Sequence, residues 1–266
     1  MEYFATINGI PLHISDTKSG DKTILLLHGY LETLYIWEEF TSLLAPHFRV
    51  ISIDIPGHGL SHTPAQNSME FCAGIADALL ETLKIKKAAI LGHSMGGYVA
   101  IEAIKRYPDR FGALIMMHSS PFSDSAQKIE ERKREIELIR QNKLMNIIKL
   151  SIPKMFASLN KSKMEEKILE IIETAEVHDP EGVITLVEAM MARNDNSDFL
   201  RTTTTPLFMI FGKHDNYIPA EAANDFLNTM KNPDFTFLEN SGHSGFLEEP
   251  KYVAEKCIEF IKKCDL

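Results

Sequence analysis

At 266 residues, 44% of them hydrophobic, the chain is long enough for one large α/β domain or a domain carrying an insertion. Its 28 Lys and Arg stand against 37 Asp and Glu, and the formal charge of −9 argues against a nucleic-acid surface or an anionic membrane, both of which need clustered cations. No apolar run approaches the ~20 residues that cross a bilayer, no secretory leader is recognisable, and Cys72, Cys257 and Cys264 fit reduced thiols, so a cytoplasmic protein is expected.

The opening run EYFATINGIPLHIS is two extended stretches about Asn8-Gly9, the dipeptide of a type I′ turn, and predicts an antiparallel hairpin. Short apolar runs then alternate with helical patterns. TILLLHG, FRVISIDIPG, AAILGHS, ALIMMHS, PLFMIFG and FTFLEN predict strands, most of them buried on both faces of a parallel sheet. Amphipathic segments through Ile36, Trp37, Phe40, Leu43 and Leu44, and through Ile75, Leu79, Leu80 and Leu83, predict covering helices. The class is therefore α/β.

After ALIMMHSSP the alternation stops for about eighty residues and resumes at Pro206. Met164, Ile168, Ile171, Ile172 and Ala175 follow helical spacing, as do Val183, Leu186, Val187, Met190 and Met191 behind an Asp179-Pro180 start. KIEERKREIELIR carries an apolar stripe through Ile129, Ile136 and Ile139. Residues 122–204 thus read as a helical lid inserted into a core of residues 1–121 and 205–266.

Ser94 lies in ILGHSMGGY, between the predicted strand KKAAIL and the predicted helix MGGYVAIEAIKRYP. Gly92 and Gly96 relieve the crowding of a sharp strand-to-helix turn, which lifts the serine hydroxyl above the carboxyl edge of the sheet. A hydroxyl at neutral pH needs a positioned base that is itself oriented by a third group. His243, on the loop after FTFLEN, and Asp215, after PLFMIFG, follow in the chain order Ser, Asp, His expected of this architecture. The N–H groups of Met95 and Tyr30 are the expected donors to a tetrahedral oxyanion.

The other histidines call for weaker roles. His28 is expected to shape the loop that carries Tyr30, and His93 to pack within the turn. His58 and His62 have helical spacing in a glycine-rich loop, which makes no metal site. His214 is expected to point away. His118, Met190 and Phe246 are candidates for the substrate pocket, with core packing as the competing reading for His118 and for the methionines Met145, Met155, Met164, Met190 and Met191. The other possible acid, Asp124, lies beyond Pro121, and Asp124→Asn is expected to be nearly silent.

Taken together, His28-Gly29 with Trp37 downstream, the run Asp54 to Ser61, Gly92-His93-Ser94-Met95-Gly96-Gly97, Gly212-Lys213-His214-Asp215, and Gly242-His243 with Glu248 and Pro250 resemble the α/β-hydrolase superfamily over nearly the whole chain. The resemblance is to its lidded branch of esterases, C–C hydrolases and lyases. Haloalkane dehalogenases and epoxide hydrolases of that fold use a carboxylate nucleophile, whereas position 94 is serine. The expected function is cofactor-independent, metal-free hydrolysis of a small-molecule carboxylic ester with a small to medium apolar acyl group. C–C hydrolysis or a lyase reaction is the alternative, followed by a ligand-binding receptor that retains the pocket.

Overall fold

Asn8 and Gly9 both take positive φ, 48° and 82°, and turn β1 (Glu2–Ile7) back into β2 (Ile10–Asp16), as the expected hairpin requires. The computed structural model, which describes residues 1–266, continues with β3 (Thr23–Leu27), β4 (Arg49–Ile53), β5 (Ala88–His93), β6 (Phe111–Met117), β7 (Leu207–Gly212) and β8 (Asp234–Leu238). All eight strands join one sheet in the order β1-β2-β4-β3-β5-β6-β7-β8. β2 runs antiparallel to both neighbours, and every other pairing is parallel. Every residue of β3 and β5 is buried, which explains their unbroken apolar sequences; β8, at the edge, leaves Phe235 exposed.

Helices α1 (Glu38–Leu44), α2 (Met69–Thr82) and α3 (Met95–Arg106) lie between successive strands. Ser68 caps α2 by accepting the Phe71 N–H. Between β6 and β7 the chain forms helices joined by turns, with no strand: α4 (Ala126–Arg140), α5 (Leu144–Ser151), α6 (Glu165–Thr174), α7 (Pro180–Ala192) and α8 (Ser197–Thr202). Asp179 caps α7, with Pro180 as its first residue. The chain closes with α9 (Ala220–Leu227), α10 (Gly245–Glu248) and α11 (Pro250–Lys262). No helix is long and apolar enough to cross a membrane.

The segment between β6 and β7 touches the carboxyl-edge loops at several points. Glu135 accepts the Tyr30 hydroxyl at 2.9 Å, the Gly59 N–H donates to His178 Nδ1 at 2.9 Å, and the Met155 carbonyl accepts the His243 N–H at 2.6 Å. At Gly57 and Gly182 two backbones pass so closely that a Cβ on either would press on the other's carbonyl oxygen. At the start of the segment, Asp124 is buried between Arg132 Nε at 2.6 Å and Arg193 Nη1 at 2.8 Å. That double pairing gives Asp124 a part in the packing of the segment, apart from the silence expected of it in turnover: its carboxylate neutralises two guanidinium groups that are themselves largely buried.

Candidate active site

Each edge loop brings one functional group to the carboxyl ends of the strands. β5 ends at His93, and Ser94 turns the chain into α3 with φ 50° and ψ −113°, a conformation that costs a non-glycine residue energy and throws its side chain clear of the sheet. The neighbouring glycines are a steric necessity. A Cβ at Gly92 would strike Gly96, one at Gly96 would strike the Leu27 carbonyl, and one at Gly97 would strike the Ser119 side chain. Ser119, whose hydroxyl donates to the Ser94 carbonyl at 2.8 Å, braces the turn from β6.

His243 and Asp215, from two further edge loops, meet each other. His243 Nδ1 donates to Asp215 Oδ2 at 2.8 Å, while the N–H groups of Tyr217 and Ile218 donate to Oδ1 at 2.7 and 2.9 Å. Burial alone would raise the Asp215 carboxyl. The facing His243 and His118 rings overcome it and hold the group well below the usual carboxylate range. No hydrogen bond joins His243 Nε2 to Ser94 Oγ; the two loops are linked through the preceding residue, His93, whose Nε2 donates to the His243 carbonyl at 2.8 Å.

The loop after β3 is tied at alternate residues. Gly29 N–H donates to Glu32 Oε2 at 2.6 Å and Leu31 N–H to His58 Nε2 at 3.0 Å. Tyr30 N–H, between them, has no partner in the chain, and neither has Met95 N–H at the start of α3. His28 shapes this region as expected: its Nε2 accepts the Ile55 N–H at 2.9 Å and its Nδ1 donates to the Gly29 carbonyl at 2.8 Å. Burial pushes both His28 and His58 down, so they remain neutral.

The three residues named as pocket candidates sit in the packed interior. Phe246 is fully buried against Trp37, with ring centroids 4.5 Å apart, and against Phe40 and His93. Met190 is buried on the packed side of α7. His118, at φ 48°, lies behind Asp215: its Nε2 accepts the Gly245 N–H at 3.1 Å, and its Nδ1 faces Asp215 Oδ2 at 3.3 Å in an alignment too poor for a hydrogen bond. Burial pushes the His118 ring down to about 4. His118, Asp215 and His243 bring one carboxylate and two imidazoles within 4.8 Å, the donor set of a metal site, but Asp215 Oδ2 and His243 Nδ1 already satisfy each other. A groove of about 620 Å³ lined by Ser158, Lys213, His214 and Asn216 touches the outer side of Asp215 and includes neither Ser94 nor His243.

A family model for the alpha/beta hydrolase fold matches residues 22–142, the stretch from β3 through the Ser94 turn to the end of α4. An esterase from Thermogutta terrifontis superposes on the chain with a TM-score of 0.92 and 28% identity, covering 99% of this chain and 98% of its own. The chain has the α/β-hydrolase fold. This hydrolase is also 25% identical over 245 residues to the pimeloyl-[acyl-carrier protein] methyl ester esterase of Vibrio cholerae, covering 90% of this chain and 94% of that one. It is 26% identical over 268 residues to a 2-hydroxy-6-oxononadienedioate/2-hydroxy-6-oxononatrienedioate hydrolase of a Pseudomonas species, with 97% and 93% coverage.

Two buried acids of the hydrolase drew no role from sequence reasoning. Glu248 Oε1 accepts the Ala157 N–H and Asn160 Nδ2, both at 2.8 Å, and Oε2 accepts the Gly242 N–H at 2.7 Å, so the His243 loop is stapled to the segment between β6 and β7. Glu32 pairs with His93. The signal for Glu248 was its place between Gly242-His243 and Pro250; for Glu32 no local pattern pointed to it.

Proposed function

We propose that this hydrolase cleaves a carboxylic ester of a small to medium apolar acyl group through an acyl-enzyme on Ser94. The observation that carries the reading is the His243 Nδ1 bond to an Asp215 carboxylate held ionised, on a loop bonded through His93 to the strained turn that carries Ser94. His243 Nε2 takes the Ser94 proton as Oγ adds to the substrate carbonyl, and Asp215 stabilises the resulting imidazolium. The tetrahedral oxyanion accepts hydrogen bonds from the Tyr30 and Met95 N–H groups, neither of which is used within the protein. Collapse expels the alcohol, which carries off the proton from His243. Water, deprotonated by the same ring, then attacks the acyl-enzyme and restores Ser94. The Ser94–His243 bond is absent from the resting arrangement and forms with substrate in place, as is common for such pairs.

Residues 122–204 act as the lid in this reading, supported by their bonds to Tyr30, Gly59 and His243. C–C bond hydrolysis is the second reading, favoured by the Pseudomonas relative named above. Incubation with a fluorophosphonate followed by peptide mapping should place the label on Ser94, and short-chain p-nitrophenyl esters should turn over. A folded protein that resists labelling would sink both mechanisms. Turnover of a vinylogous diketone at rates far above those of all esters tested would select the second.

A further inference from the structure

Glu32 lies on the loop after β3, and His93 is the last residue of β5, immediately before Ser94. Glu32 Oε2 accepts two hydrogen bonds, from Gly29 N–H at 2.6 Å and from His93 Nδ1 at 2.8 Å. The other ring nitrogen, His93 Nε2, donates to the His243 carbonyl at 2.8 Å. One carboxylate and one ring therefore join the oxyanion loop, the nucleophile turn and the base loop. We propose that Glu32 and His93 are a positioning pair that holds these three parts of the ester-cleaving site in register. The proposal rests on the Ser94 reading above.

The chemistry of the two ends defines the state of the ring. A backbone carbonyl only accepts, so His93 Nε2 carries hydrogen. Burial opposes charge on both groups, but each partner's charge overcomes it, raising His93 and lowering Glu32, so the contact joins an imidazolium to a carboxylate. Both side chains are sealed from solvent. The facing groups are the rings of His243, His118, Trp37 and Phe246, with Asp215 and His28 as further charged or titratable neighbours. As a brace for stability alone the pair is poor. Glu32 Oε1 has no partner, and apolar side chains in such a place often serve stability as well as buried ions do. What the pair does hold is the geometry on either side of the reacting carbonyl. It also explains the glycine of His28-Gly29: a Cβ there would come within 2.8 Å of His93 Nδ1 and 2.9 Å of Glu32 Oε2.

Glu32→Gln keeps the shape and removes the charge, and a neutral His93 has hydrogen for only one of its two partners. With p-nitrophenyl butyrate the variant should lose about 10- to 100-fold in kcat with KM within about twofold, the signature of misplaced groups in a formed site. His93→Asn should lose a similar amount, and the double variant no more than either single one, because the two residues act as a unit. Losses that multiply in the double variant, a wild-type kcat in Glu32→Gln, or a loss matched by the unfolded fraction in circular dichroism would overturn the proposal. If the variants do not fold, nitrogen-15 histidine spectra of the wild-type enzyme at neutral pH decide the matter. One buried ring with both nitrogens protonated is expected, and its absence refutes the pair. Fluorophosphonate labelling of wild-type Ser94 is read separately, so failure of the ester reading is distinguishable from failure of the pair.

Discussion

Asp215 gives one oxygen to the His243 ring at 2.8 Å and keeps the other bound to the backbone of its own loop through Tyr217 and Ile218. The carboxylate therefore cannot rotate away from the ring. In Asp215→Asn the amide oxygen can still accept from Tyr217 and Ile218, which leaves the NH2 group facing His243 Nδ1 and favours the wrong tautomer. The variant should fold and lose on the order of 10³- to 10⁴-fold in kcat with a p-nitrophenyl ester. A loss below about tenfold would remove Asp215 from the mechanism.

Ser94 is held at φ 50° and ψ −113°, a region that glycine enters without penalty. Ser94→Gly should therefore be more stable than Ser94→Ala by about 1 kcal/mol in urea denaturation, although both abolish fluorophosphonate labelling. Equal stabilities would mean that the turn is not strained in solution.

Asp124 makes a contrasting prediction. Asp124→Asn leaves Arg132 and Arg193 without their shared counter-charge and should cost about 3 kcal/mol of unfolding free energy. Because the residue is remote from the reacting groups, kcat per folded molecule should stay within about twofold of wild type. Thermal melts paired with active-site titration separate the two effects.

His178 supplies a pH dependence. Burial pushes it down to about 4 from the ordinary 6.5, so between those values the unfolded chain binds a proton that the native state refuses. The native state consequently loses stability as pH falls through this window, by about 1.4 kcal/mol per pH unit for this one group, and regains it as pH rises. His118, pushed to about 4 by its own burial, adds a slope of the same sign. His178→Gln retains an acceptor for the Gly59 N–H and should flatten the dependence by about one proton. An unchanged slope in urea titrations from pH 4 to 6.5 would contradict the assignment.

Much of the architecture was legible because it is written locally. Asn8-Gly9 announces its turn, the unbroken apolar runs announce a sheet covered on both faces, and the glycines about Ser94 announce a turn that only small residues permit. Asp179-Pro180 marked the start of α7 to the residue. Short α5, α8 and α9 carried no side-chain caps and too few periodic positions to stand out. The long-range partnerships were hidden for a different reason. Glu32 and His93 are 61 residues apart, and His118 reaches Gly245 across 127. No periodicity records which acid a buried ring will face. The packing of Phe246 on Trp37 and Phe40 was not legible, because an aromatic residue next to a reactive loop looks the same in sequence whether it borders substrate or plugs the core beneath it.

The bonds about Glu248 divide the attachments of the segment between β6 and β7 unequally. Residues 155–160 hold the His243 loop through the Met155 carbonyl, the Ala157 N–H and Asn160, whereas the Tyr30 side is tied to α4 by a single bond to Glu135. A fluctuation that lifts the first patch pulls on the His243 loop, and under the proposed mechanism it would displace the base. One that parts Tyr30 from Glu135 leaves His243 and Asp215 undisturbed. Under the proposed mechanism, the way in for substrate would therefore lie on the Tyr30 side, away from the bonds that hold the His243 loop.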